Sequence, residues 1–315
     1  MRIAIFSDIH CNVLALNAVQ KHARQKQPPV DLYWFLGDLI GYGPQPLECI
    51  RLLKKNADHS RWISGNHERL WLQFRAHGIQ PESDLSRISI QAEKIAREKW
   101  VGARVEAVEA LLLNMREMGD DPDVNWYANE CSVVEHHPYQ VKELDGLRLV
   151  FSHGASLPDP HAGYIYPWSM PYMLQVNVLE PLLPISMPTL VLFGHTHIQT
   201  LLHVAPDASV TEMDFEYGKP QPLGPYLTVI NPGSVGSAGD LDTRAAYAII
   251  DTNHGGTVTF FRVVYPYQKV GTMMAQKRYP LSLITQLEEA PIRTNSSTPR
   301  EYVSRLERRK SAPGG

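Results

Sequence analysis

An α/β fold is predicted by two features of the chain. Apolar β-rich runs alternate with helical patterns at the start, and short β runs without such helices follow Cys131. The first pattern calls for parallel strands with crossover helices, and the second for a further, largely antiparallel sheet. Ile3 to Phe6 is the first strand-like run, SDIHCN turns the chain, and Val13 to Ala23 carries apolar residues at helical spacing. Leu32 to Leu36, the Gly/Pro loop GDLIGYGPQP and the helical pattern from Leu47 to Leu53 repeat that grammar. Trp62 and Ile63 read as a short third strand entering SGNHE.

Asp84 to Met118 is rich in Ala, Glu, Arg, Lys and Leu. Its apolar positions predict a helical insert over about 84–118, either one long helix or two broken near Gly102. The later β runs are Val133–Val134, Leu147–Phe151, Leu190–Phe193, Thr200–Val204, Leu227–Ile230, Ala246–Ile250 and Val258–Val264. Between them, Leu157 to Pro188 is crowded with proline and aromatics (Tyr164, Tyr166, Trp168, Tyr172), which predicts an ordered, lid-like connection over about 157–188. The pattern assigns residues 1–290 to one domain. Residues 291–315, polar and Ser/Pro-flanked, are expected to form a mobile tail.

Composition removes several classes of function. Lys+Arg 30 against Asp+Glu 33 leaves a net charge of -3, so the chain lacks the global basic surface of a nonspecific nucleic-acid binder. Cys11, Cys49 and Cys131 show no CxxC spacing, which argues against a disulfide framework or a thiolate zinc site and for a reducing cytoplasm. The opening run MRIAIF meets an acid and a histidine too soon for a signal peptide, and no run is long enough to span a bilayer.

The chemistry collects in five loops, each following an apolar run: Asp8 and His10 in SDIH, Asp38 in LGDL, Asn66 and His67 in SGNHE, His153 in FSHG, and His195 and His197 in FGHTH. Sites of α/β folds lie just beyond the carboxyl ends of the strands. Imidazole and carboxylate without thiolate suit divalent Mn, Fe, Zn, Co or Ni. Two metals sharing one carboxylate would use nearly all of these groups, and such a pair, about 3.5–4 Å apart, holds a bridging hydroxide for in-line attack on phosphorus. One strand-end Asp or His alone is more often a helix cap than a ligand. Five such loops together are hard to explain as coincidental capping.

DxH, GD, GNHE, a histidine before glycine, and GHTH, in that order, resemble the signature of the calcineurin-like metallophosphoesterase superfamily. The resemblance covers Met1 to about Tyr265. NPGSVG (Asn231 to Gly236) and RAAYAIID (Arg244 to Asp251) are similar to its compact prokaryotic phosphodiesterase branch, whereas the protein Ser/Thr phosphatases carry GDxVDRG where this chain has GDLIGYG. The resemblance implies an α/β/β/α sandwich of two mixed sheets packed face to face. It also implies two metals, one held by Asp8, His10, Asp38 and His197 and the other by Asp38, Asn66, His153 and His195, with Asp38 as the bridge. His67 would be no ligand but a catalytic group, donating a hydrogen bond to phosphoryl oxygens or protonating the departing alkoxide.

Cys11 stands where the family has glycine and reads as a tolerated small side chain. His136 and His137 read as a surface turn, and Arg69, Trp71, Tyr42, Tyr166 and Trp168 are candidate contacts for phosphate or base. The expected function is dimetal hydrolysis of a small or nucleotide-like phosphate diester or phosphoanhydride. Phosphomonoesterase activity, including the protein phosphatase type, and a noncatalytic scaffold on the same fold are the alternatives.

Overall fold

The computed structural model describes residues 1–79, 90–99, 104–135, 139–154, 157, 178, 180–291 and 300–314. The first sheet begins with three parallel strands, β1 (Arg2–Phe6), β2 (Leu32–Phe35) and β3 (Ser60–Trp62), joined by crossover helices α1 (Val13–Arg24) and α2 (Pro46–Lys55). Asn12 caps α1 by accepting the Ala15 N–H at 3.1 Å, and Pro46 opens α2, where a missing N–H costs nothing. Helix α3 (Asn66–Ala76) leaves β3 through the SGNHE loop, and the insert follows as α4 (Ile90–Lys99) and α5 (Val105–Met118). The insert is thus two helices among the described residues; 80–89 and 100–103 lie outside them.

Helix α6 (Pro122–Glu135) replaces the strand expected at Val133–Val134. Val124, Tyr127, Ala128 and Cys131 are buried at i, i+3, i+4 and i+7, and this helical stripe outweighs a local β-branched pair, of which Val133 stays exposed.

The remaining strands are β4 (Gln140–Leu144), β5 (Leu147–Phe151), β6 (Thr189–Leu192), β7 (Thr200–Val204), β8 (Val210–Glu212), β9 (Gln221–Pro222), β10 (Leu227–Asn231), β11 (Ala245–Asp251) and β12 (Thr257–Val263). They complete two six-stranded sheets, ordered β3-β2-β1-β11-β12-β9 and β4-β5-β6-β10-β7-β8. The largely antiparallel second sheet is corrected in two respects. It is mixed, since β5, β6 and β10 run parallel, and β11 and β12 belong to the first sheet, where β11 pairs antiparallel with β1 from Arg2↔Asp251 to Ile5↔Ala248. A short apolar run carries its alternation of faces but not the identity of its neighbour.

Side chains alternating along each strand divide the core into layers. Ile3, Ile5, Trp34 and Leu36 face the second sheet and meet Leu149, Phe151, Leu190 and Leu192, with Trp34 stacked on Phe151 at 3.5 Å between ring centroids. Ala4, Phe6, Tyr33, Phe35 and Tyr247 face the other way, under α1 to α6 and two later helices, α7 (Tyr267–Gln276) and α8 (Leu281–Glu289). The outer face of the second sheet packs Val150, Val191, Phe193 and Val229 against Leu157, Val178 and Leu182. The result is the four-layer sandwich of two mixed sheets. Most of the lid-like connection, with Tyr164, Tyr166, Trp168 and Tyr172, lies outside the described residues, as do His136 and His137.

The tail departs from expectation. Helix α9 (Arg300–Ser311) buries Tyr302 and Leu306 against Ile198 and Leu241, so a mobile tail does not describe residues 300–314. The helix is polar on most positions, but the i, i+4 pair Tyr302/Leu306 makes a narrow apolar stripe wide enough to dock. Among the described residues no helix is long and apolar enough to cross a membrane.

Candidate metal centre

Each expected site residue sits two to five residues beyond a strand end. Asp8 and His10 follow β1, Asp38 follows β2, Asn66 and His67 open α3 after β3, His153 follows β5, and His195 and His197 follow β6. Backbone bonds tie these loops together: Asp8 N–H donates to the Gly37 carbonyl, His10 N–H to that of Asp38, and Gly194 N–H to that of His153. Asp8, His10, Asp38, His195 and His197 all have φ between 47° and 66°, the left-handed region that side chains rarely adopt. Such a concentration of disfavoured backbone marks loops held in place by their surroundings. Close approach contributes too: a Cβ at Gly65 would lie 2.1 Å from Asp38 Oδ1, so only glycine fits between β3 and the Asp38 carboxylate.

The side chains converge in a buried cluster, none of them more than 6% exposed. Asp8, His10 and His197 bring one ligand atom each to within 4.8 Å of one another; so do Asp38, His153 and His195, and so do His10, Asp38 and His67. Asp38 Oδ2 is 3.3 Å from His153 Nε2, 3.8 Å from His10 Nε2 and 3.9 Å from His67 Nε2. Its other oxygen accepts the His67 backbone N–H at 3.0 Å, at the positive end of α3. Asp8 Oδ1 lies 3.2 Å from His197 Nε2, and both Asp8 oxygens accept the His195 N–H.

Three imidazoles share one arrangement. His10 Nδ1 donates to the Ile40 carbonyl at 3.0 Å, His153 Nδ1 to that of Leu36 at 2.6 Å, and His197 Nδ1 to that of Ser237. A carbonyl only accepts, so each ring carries a proton on Nδ1 and Nε2 is the nitrogen turned inward, the one that histidines of this arrangement offer to metals. His10 Nε2 and His197 Nε2 lie 3.2 Å apart, close enough to face one cation together. Asn66 offers its Oδ1 to the cluster, 2.9 Å from His153 Nε2, while its Nδ2 is buried without a hydrogen-bond partner among the described residues. This all-nitrogen and oxygen donor set fits borderline-hard divalent cations.

The charges are mutually dependent. Burial works against the ionised form of Asp38, but the neighbouring His153 and His67 hold its pKa well below the usual carboxylate range. Burial likewise opposes a charge on His153, yet Asp38 raises its pKa to about 9. Burial and the charge on His153 push His195 down to about 3, and burial with His67 keeps His10 well below its ordinary value. Asp8, with burial acting upward and His197 acting downward, ends below its ordinary value.

Several residues that brace the cluster have no assigned part in the sequence reading. Glu68, completely buried, accepts the backbone N–H groups of Asp38 (2.8 Å), Ile40 (3.1 Å) and Gly65 (2.8 Å), tying the loop after β2 to the start of α3. Burial and the Asp38 charge raise its pKa, and those backbone donors pull it back. At the end of β10 Asn231 Nδ2 donates to the Gly194 carbonyl, and beyond it Ser234 Oγ donates to the Asp8 carbonyl and Ser237 supplies the acceptor for His197. NPGSVG follows an apolar strand run as the ligand loops do, and that placement is the signal by which its bracing role was open to detection. Trp71 lies with Leu70 and Phe74 on the buried face of α3, stacked on Tyr127 at 5.7 Å. Arg69 is half-buried on the same helix, and Tyr42 packs directly on the cluster. Cys11 is buried, with its thiol 3.1 Å from Asn114 Oδ1 and its pKa pushed well up by burial, in keeping with a small packed side chain.

Residues 1–199 match the sequence model of the family described as calcineurin-like phosphoesterase. With that match the sandwich and its buried cluster define a metal-dependent phosphoester hydrolase. The chain belongs to the calcineurin-like phosphoesterase family. A metallophosphoesterase from Sphaerobacter thermophilus has a similar solved structure, with a TM-score of 0.63 at 26% identity, covering 92% of this chain and 100% of that one. An uncharacterised protein of Methanocaldococcus jannaschii is 23% identical over 88% of this chain and 93% of its own length. A symmetrical bis(5'-nucleosyl)-tetraphosphatase of Photobacterium profundum is 25% identical over 45% of this chain and 68% of its own.

Proposed function

We propose that the protein hydrolyses phosphodiesters or nucleotide phosphoanhydrides with two divalent cations, manganese being the first to test. Asp8, His10, Asp38 and His197 would hold one cation, and Asp38, Asn66, His153 and His195 the other. The observation that carries this reading is Asp38 Oδ2, which has His10 Nε2 at 3.8 Å and His153 Nε2 at 3.3 Å, one from each proposed ligand set. Two cations so held would supply Lewis acidity and a nucleophile at neutral pH. The chain's own part is to keep the imidazole lone pairs and carboxylates converged, to exclude bulk water from a cluster buried throughout, and to offer a proton from His67. The buried thiols of Cys11, Cys49 and Cys131 support work in a reducing cytoplasm.

His67 is the proposed proton donor to the leaving oxygen. His67→Ala is expected to retain both cations while lowering kcat about 10²–10⁴-fold for an alkoxide leaving group, and by much less for nitrophenolate, which leaves without protonation. Equal losses with the two leaving groups would point to stabilisation of the phosphoryl oxygens instead.

Diesters and phosphoanhydrides are favoured over monoesters because GDLIGYG lacks the arginine of GDxVDRG, and a dianionic monoester loses a charge-assisted partner. The similarity to a bis(5'-nucleosyl)-tetraphosphatase supports a nucleotide substrate. The test is kcat/KM for bis-nitrophenyl phosphate, nitrophenyl phosphate and a dinucleoside polyphosphate on one manganese-loaded preparation, with Asp38→Ala as blank. A monoester preference of about tenfold, or about 1.4 kcal/mol in transition-state binding, would overturn the assignment in favour of a phosphomonoesterase.

A further inference from the structure

Asn114, on α5 of the helical insert, is completely buried and uses its whole amide. Its Oδ1 accepts the Gly41 N–H at 2.7 Å and the Cys11 S–H at 3.1 Å; its Nδ2 donates to the Gly43 carbonyl at 2.9 Å and to the Tyr279 hydroxyl at 2.8 Å. Gly41 and Gly43 flank Tyr42, so the amide clamps both ends of a one-residue turn. Tyr42 is held there with φ 47°, which a bulky residue adopts only where its surroundings over-determine it. Its ring lies on the cluster, 4.4 Å from the His10 ring and 4.7 Å from the His67 ring between centroids, edge to face with the latter at 69°. The turn also touches His67 directly: a Cβ at Gly41 would fall 2.1 Å from His67 Nδ1. Packing from Tyr42 and Gly41 therefore bears on the imidazole that is to meet the leaving oxygen.

We infer that Asn114 is a positioning residue for His67, acting through the Gly41–Tyr42–Gly43 turn, and that the helical insert is thereby part of the catalytic apparatus. The inference rests on the proposed role of His67. A proton donor contributes only when its ring is aimed, because proton transfer and near-attack geometry tolerate little misplacement. Loss of the clamp frees the turn, lets the Tyr42 ring leave His67 and lowers the chemical step while the cation ligands stay in place.

The test uses the manganese-loaded full chain with bis-nitrophenyl phosphate and a dialkyl phosphodiester, whose alkoxide is the poorer leaving group. Asn114→Ala and Tyr42→Ala are each expected to lower kcat about tenfold or more for the poorer leaving group, with KM within about twofold and both cations bound. The double variant is expected to be no worse than the more impaired single one, because both act along one path. Tyr42→Phe, which keeps the ring, is expected to recover most of the loss seen in Tyr42→Ala. A second readout needs no turnover: in the histidine side-chain ¹H–¹⁵N spectrum of the metal-free protein, the His67 resonances shift or split in Asn114→Ala and Tyr42→Ala and return towards wild type in Tyr42→Phe. If Asn114→Ala does not fold, Asn114→Ser, which leaves a polar group at that site, carries the same expectations. A lower melting temperature with kcat per loaded molecule and the His67 resonances unchanged would overturn the inference, as would losses that multiply in the double variant. Failure of the wild type to cleave any phosphate ester would instead overturn the proposed function, with the spectrum still deciding whether Asn114 positions His67.

Discussion

Asp38→Asn is expected to yield a folded protein that holds neither cation. The amide matches the carboxylate in shape and still presents an oxygen to the His67 N–H, which Asp38 Oδ1 accepts at 3.0 Å, so the N-terminus of α3 stays capped. What disappears is the negative charge, in a cavity where His10, His67 and His153 surround it and only Asp8 carries a second carboxylate in the three ligand groups. A terminal ligand such as His10 or His195 serves one cation in the proposed assignment, whereas Asp38 serves both. Elemental analysis of protein purified with manganese is expected to fall from two cations per chain to none for Asp38→Asn, and from two to about one for His10→Ala. Metal catalysis contributes several kcal/mol, so turnover is expected to drop by about 10³-fold or more. Two cations at full occupancy in Asp38→Asn would remove Asp38 from the bridging position.

Truncation after Ala290 is expected to lower the melting temperature by about 5–10 °C. Tyr302 and Leu306 are 4% and 3% exposed, and full burial of such a side chain is worth about 1.5–3 kcal/mol as an upper estimate. For a chain of this size a few kcal/mol corresponds to a shift of that order. Polar contacts add specificity: Arg244 donates to the Ala312 carbonyl at 2.8 Å and the Lys310 carbonyl at 3.0 Å, and Arg309 pairs with Asp214 at 2.9 Å while lying 3.9 Å over the Phe215 ring. The exposed face of the helix contributes little by comparison. Ile198, which the tail helix covers, is the residue after His197, so the truncated chain is also expected to bind manganese more weakly. Tyr302→Ala with Leu306→Ala is the point version of the same experiment. An unchanged melting curve in both would mean that the helix does not dock in solution.

The two cases divide along the range over which each feature is specified. Asp8, His10, Asp38, Asn66, His67, His153, His195 and His197 are legible as one group because ligand-type residues recur at strand ends, and that grammar is local: an apolar run, a turn, a helix. Tyr302 and Leu306 are not legible in the same way, since two apolar residues one helical turn apart mean nothing until Ile198 and Leu241 are beside them. Helix α6 belongs with them, because Val133 and Val134 read as strand until the stripe from Val124 to Cys131 finds its core.

The sequence by itself determined the strand and loop succession of the first half, the lack of CxxC spacing among its three cysteines and the residue types that converge on the site. Only the tertiary structure decided that β11 and β12 join the first sheet, that Glu68 and Asn114 brace the Asp38 loop, and that the ligand loops lie in left-handed backbone. Strand pairing is made by backbone groups common to every residue, so a strand's partner is chosen by which edge the rest of the chain leaves open. A buried Glu or Asn is likewise defined by the distant N–H and carbonyl groups it satisfies, which are brought within reach only when the two sheets and the helical insert have packed.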